Sequence, residues 1–129
     1  MNKLKGILLT QGMHGMISQV EGLAKALDID FTHHTVELNN FWKIIPPKFT
    51  PISQMVYKKV NQSDFDMIIS CGRKSVIPSI HLKNSLKKKV ISIHIQDPKV
   101  NFNNFDFIVA PEHDSIKGLN VINTKGAIH

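Results

Sequence analysis

Four stretches of the sequence close in the same way, an apolar run followed by a burst of Gly, Arg, Asp, His or Glu. They are GILLTQGMHG (6–15), DMIISCGRKS (66–75), VISIHIQDPK (90–99) and FDFIVAPEHD (105–114). In an open parallel α/β sheet, polar residues just past the strand carboxyl ends line the crevice where ligands bind. The pattern points to a small-molecule or phosphate site.

The chemistry differs from stretch to stretch. In TQGMHG, Gly12 and Gly15 bracket a turn, and the free amides of the helix that follows suit an anion, with His14 in reach of a ligand. The spacing is neither GxGxxG nor a Walker loop. It also fits a glycine-rich βα turn with an exposed histidine and no ligand. In CGRKS, Gly72, Arg73, Lys74 and Ser75 place two cations and a hydroxyl at a second helix start, an arrangement suited to phosphate or carboxylate. Arg73 is the single arginine among 16 basic residues. Where lysine is otherwise used throughout, a planar guanidinium suggests a geometric need. The competing reading has Arg73 pair with Asp97 or Glu112 and brace the crevice. Cys71 reads as a small buried residue at a strand end.

The third and fourth stretches, HIQDP and PEHD, bring Asp97, Glu112, His113 and Asp114 to one rim. His113, Asp97 and Glu112 are the candidates for acid–base work, with His113 the best-placed proton shuttle. Asp before Pro and Asp114 at a turn are equally explained by turn chemistry. Neither HxxxH nor DxDxDG spacing occurs, so no metal and no cofactor are expected.

The elements that must position these residues follow from periodicity. Residues 4–10 suit a buried strand. Met16, Ile17, Val20, Leu23, Ala24 and Leu27 form one stripe of a helix that Asp28 and Asp30 end. Residues 31–38 alternate as a second strand, giving a βαβ unit. Between 39 and 51, Pro46-Pro47 excludes helix and central strand, which leaves an ordered loop anchored by Phe41, Trp42, Ile44 and Ile45. A short helix is expected over 51–60 with Pro51 in its first turn. Strands follow at 66–70, 89–95, 105–110 and 119–123. A helix over 75–86 has Ser75 as N-cap and turns Val76, Ile77, Ser79 and Ile80 to the sheet. The fold class is α/β, a single Rossmann-like three-layer domain over 1–129 with a mostly parallel sheet.

Composition narrows the function. At 129 residues and 42% hydrophobic content the chain is about one globular domain. No apolar run reaches the roughly 18 residues that span a membrane, and the start lacks a signal-peptide h-region. One cysteine excludes an internal disulfide. The net charge of +6 is spread along the chain with one cluster, Lys87-Lys88-Lys89, and without interleaved aromatics, so nucleic acid is not an expected partner. A cytoplasmic location is expected, with peripheral membrane association as an open option.

These segments, in this order, resemble the N-terminal half of the mitochondrial-fission ELM family. The resemblance rests on LTQGMHGMISQVEGLAKAL, FWKIIPP, DMIISCGRKSVIPSIHLK, ISIHIQDPKVNFNNFDFIVAPEHD and NVINTKGAIH, and covers nearly the whole chain. SCGRKS, QDP and PEHD followed by GAIH are its most specific parts. A typical member has an acidic residue where Gln11 stands. The resemblance implies half of a GT-B glycosyltransferase-like architecture, with the acceptor side here and the nucleotide-sugar donor mainly in a complementary C-terminal half. A chain of this half alone is expected to be inactive. The alternatives are a non-enzymatic scaffold or binding module in membrane organisation, with Phe41, Trp42 and Pro46-Pro47 as contacts, or a stand-alone nucleotide-binding domain.

Overall fold

The computed structural model describes residues 3–62, 64–86, 88–111 and 118–124. They form a six-stranded sheet: β1 Lys5–Thr10, β2 Asp30–Thr35, β3 Met67–Cys71, β4 Ile91–Ile95, β5 Phe107–Pro111 and β6 Val121–Thr124. The strand order is β2-β1-β3-β4-β5-β6 and every neighbouring pair is parallel. Helix α1, His14–Ala26, covers one face and α2, Val76–Ser85, the other. The expected three-layer α/β domain is what forms.

The two faces separate by strand alternation. Leu8, Met67, Ile69 and Cys71 pack with Val20 and Ala24 of α1. Ile7, Leu9 and Ile68 pack with Val76, Ile77 and Ile80 of α2. Strands buried on both sides read as unbroken apolar runs, which is why β1 and β3 were legible. Each fully buried Leu or Ile contributes roughly 1.5–3 kcal/mol. As expected, Val76, Ile77, Ser79 and Ile80 are all buried against the sheet.

Helix α1 ends in a Schellman motif: Asp28 N–H donates to Lys25 O at 3.1 Å and Ile29 N–H to Ala24 O at 3.3 Å. Asp28 takes the left-handed position, at φ +55°, that glycine usually fills. The apolar stripe of this helix is centred on Val20 and Ala24, while Leu27 is exposed.

Four expectations need correction. Gly15 does not close a turn; it is the second residue of α1. The helix over 51–60 is absent: only a single 3₁₀ turn, Gln54–Val56, forms there. Ser53 accepts a bond from Met55 N–H, and Tyr57 leaves the turn extended to make an antiparallel bridge with Leu38. Burial of the adjacent Val56 and Tyr57 outweighs the weak tendency of so short a helix. Ser75 is not a side-chain cap, because a 3₁₀ turn, Arg73–Ser75, precedes α2 and Ser75 is already helical. Its hydroxyl instead donates to Gly72 O at 2.7 Å. Strand β2 stops at Thr35, and residues 36–38 continue as loop.

Candidate functional site at the β1/β3 switch point

β1 has β2 on one side and β3 on the other. The chain therefore leaves β1 toward α1 on one face and leaves β3 toward α2 on the opposite face. Such a reversal opens a crevice at the carboxyl ends of the two strands. Both of the glycine-bearing loops singled out in the sequence flank it.

After β1, Gly12 adopts φ +90° and its N–H donates to Thr10 Oγ1 at 3.0 Å. The Thr10 hydroxyl also shares a hydrogen bond with His33 Nε2 of β2 at 2.6 Å. Thr10 thereby links the loop after β1 to His33 of β2. Partial burial lowers the pKa of His33, which favours its neutral form, while the Glu21 charge acts the other way. Met13 caps α1 without a side-chain bond, and the first intrahelical bond is Ile17 N–H to Met13 O at 3.0 Å. The first-turn amides of His14, Gly15 and Met16 have no intrahelical acceptor, and His14 itself is exposed.

After β3, Gly72 is buried at φ +100°. Gln11 crosses from the β1 loop, and its Oε1 accepts from Lys74 N–H at 3.1 Å. The two loops are thus tied together, and one amide offered to an anion is already met by a side-chain oxygen. Arg73 Nη2 donates to Lys43 O at 3.0 Å, holding the 3₁₀ turn Asn40–Ile44 against the crevice. That corrects the bracing alternative for Asp97. Asp97 instead accepts from its own turn, from Lys99 N–H at 2.9 Å and Lys99 Nζ at 3.2 Å. A space lined by Trp42, Ile45, Arg73, Lys74 and Ile77 holds about 10 Å³, room for one water at most.

The structure therefore brings Gly12, His14, Gly15, Gly72, Arg73, Lys74 and Ser75 to the two loops of one switch point. Ser75 is buried and bonded to backbone, so its role there is to shape the turn. Asp97 lies past β4, in a turn where Gln96 and Lys99 have φ of +86° and +61°. Glu112 and His113 lie outside the described residues. Cys71 is fully buried and its thiol is pushed up to about 12 by that burial, which keeps it protonated. The sequence reading did not assign Thr10 or His33 to the site, placed Met16 only in the apolar stripe of the helix, and noted Gln11 only as a departure from the family pattern. The signal was present, as two polar residues closing an apolar run and a histidine pair inside a β-branched strand.

Residues 14–129 match the family model described as Mitochondrial fission ELM1. No curated protein and no solved structure matches the chain.

Proposed function

Because the chain belongs to the mitochondrial fission ELM1 family, we propose that it is the acceptor-side half of a GT-B glycosyltransferase-like protein. It would take a nucleotide sugar or another phosphate-bearing ligand against a complementary C-terminal half. The observation that supports this reading is the tied pair of βα loops at the switch point. Gly12 and Gly72, at positive φ, fold the two loops tightly against each other, while the first-turn amides of α1, Arg73 and Lys74 give the approach positive charge.

In this reading the bond from the sugar's anomeric carbon to the donor phosphate breaks as the acceptor hydroxyl attacks. A cleft carboxylate or imidazole takes the hydroxyl proton, with His113, Asp97 and Glu112 as the candidates. In this reading these residues supply the acceptor side of the cleft. The test combines this chain with the C-terminal half of a longer family member and a panel of nucleotide sugars, reading released nucleoside diphosphate. Release is expected from the pair and from neither half alone. Lys74→Ala should lower it about tenfold, the loss expected for one charge-assisted contact. A pair that forms but releases nothing, or that ignores Lys74→Ala, removes this reading.

A second reading, a binding module at a membrane, is favoured by a different observation. Phe41, Ile44, Phe49, Ile52 and Met55 are 62%, 77%, 69%, 44% and 62% exposed. They lie in a stretch, 38–63, that holds Lys43, Lys48, Lys58 and Lys59 and no acidic residue. Bulky apolar side chains among lysines suit an anionic bilayer surface. Among the described residues no helix is long and apolar enough to cross a membrane. Co-sedimentation with phosphatidylserine vesicles should succeed, and Phe41→Asp with Ile44→Asp should abolish it. Equal binding to neutral vesicles, or no effect of the pair of substitutions, counts against the reading.

A further inference from the structure

We propose that the groove between α2 and the strap of residues 58–62 is a second binding site, taking a small anion carried on an apolar body. The groove measures about 380 Å³, within the range of small-molecule sites. It is lined by Phe65, which immediately precedes the Asp66–Lys5 pairing at the amino ends of β3 and β1. It therefore opens at the end of the sheet opposite the switch point, and its occupancy does not depend on the proposed transfer reaction.

The two walls are built differently. From α2 come His81, Leu82 and Ser85, with His81 and Ser85 one helical turn apart, and Leu86 follows as the extended C-cap of the helix. Leu82 and Phe65 are 8% and 1% exposed, so they make a dry floor. From the strap come Lys59, Val60 and Asn61. The strap is fastened at its ends, and between them Val60 packs against the core. Lys58 N–H donates to Glu37 O at 2.8 Å, and Gln62 Oε1 meets His34 Nε2 at 2.9 Å. Among the described residues, the side chains of Lys59 and Asn61 have no hydrogen-bond or ion-pair partner. A second groove of about 420 Å³ lies on the other side of the same strap, between it and His34, Thr35 and Glu37.

The lining determines the ligand class. It holds one ammonium, three amide side chains, an imidazole and a hydroxyl, and no carboxylate. The Glu37 that borders the neighbouring groove is paired with Lys58 Nζ at 3.1 Å. A cation would meet Lys59 with nothing to balance it. An anion gains Lys59 and the Asn61 amide, while Phe65, Val60, Leu82 and Leu86 receive its apolar part. His81 is held in place, since its Nδ1 shares a 2.6 Å hydrogen bond with the buried Tyr57 hydroxyl. Burial pushes that phenol up to about 12, so it stays protonated and able to donate to Nδ1. The Nε2 of that ring is then the polar atom left to face a ligand.

Amide chemical shifts of the ¹⁵N-labelled chain, titrated with octanoate, octylammonium and inorganic phosphate, test the assignment. Octanoate is expected to saturate with a Kd of about 1 mM or tighter, and to move the amides of 59–62 and 81–86. Octylammonium and phosphate should each bind at least about tenfold more weakly. Lys59→Glu should weaken octanoate by the same factor and Lys59→Arg should restore it; Lys59 is exposed, so both variants will fold. Shifts centred on 41–55, octylammonium or phosphate binding as tightly as octanoate, or indifference to Lys59→Glu would each overturn the proposal.

Discussion

Replacing Gly72 with alanine is expected to destabilise the domain by about 2–4 kcal/mol, from backbone strain and a steric conflict acting together. Gly72 sits at φ +100° and ψ +151°, a combination essentially confined to glycine. An added Cβ would lie 2.6 Å from Gln11 Oε1 and 2.8 Å from Met16 Sδ. Both of those atoms are far ends of flexible side chains and can retreat. Gln11 cannot retreat without releasing Lys74 N–H, so the new methyl group also breaks the tie between the two loops. The consequence is non-additivity. Gln11→Ala alone should cost about 1 kcal/mol, the usual worth of one hydrogen bond, and close to nothing in a chain that already carries Gly72→Ala. Urea denaturation of the four chains in that cycle measures this. A loss under about 0.5 kcal/mol for Gly72→Ala would show that the loop rebuilds around the methyl group without strain. Full additivity would show that Gln11 and Gly72 do not share a contact.

The same pair shows how far the sequence could be read. Parallel strands buried on both faces leave unbroken apolar runs, so β1 and β3 announced themselves, and with them the loops at their carboxyl ends. The glycines of those loops were visible because the φ they need excludes most other residues. The hydrogen bond from Lys74 N–H to Gln11 joins residues 63 positions apart. No local pattern reports such a contact; it exists only once β1 and β3 lie side by side. The failed helix over 51–60 has the mirror-image cause. Its local pattern was acceptable, but the Leu38–Tyr57 bridge and the burial of Val56 and Tyr57 come from distant parts of the chain. Arg73 illustrates a partial success. Its geometric need was inferred from its being the single arginine, but the partner is a main-chain carbonyl, Lys43 O, which no residue-type reasoning would select.

Acidification below about pH 6.5 is expected to destabilise the domain steeply, and His94 is the main cause. His94 lies on β4, 1% exposed, with Nδ1 sharing a 2.8 Å hydrogen bond with Ser70 Oγ and its ring 5.1 Å from that of Phe105. Desolvation pushes its pKa down to about 3; the Asp97 charge acts weakly in the opposite direction. The folded state therefore holds this ring neutral while the unfolded chain protonates it near its ordinary value of 6.5. Between those two values the unfolded state binds more protons, so stability rises with pH and is lost as pH falls. The slope approaches about 1.4 kcal/mol per pH unit for one fully linked group. By about pH 4.5 the loss is on the order of 2–3 kcal/mol, a large share of the roughly 5–15 kcal/mol that holds a domain together. His33, also shifted down by burial, adds to the slope in the same direction. Asp64, Asp66 and Asp106 all titrate below the ordinary carboxylate value and enter only at lower pH. His94→Asn separates the contributions, because its amide can keep a bond to Ser70 Oγ and carries no titrating proton. The variant will be less stable near pH 7, since the smaller side chain leaves space beside Phe105. Its stability should nevertheless fall less steeply from pH 6.5 to 4.5 than that of the parent chain, so that the two curves converge. Parallel curves would mean that the buried ring is not what links folding to protons in this window.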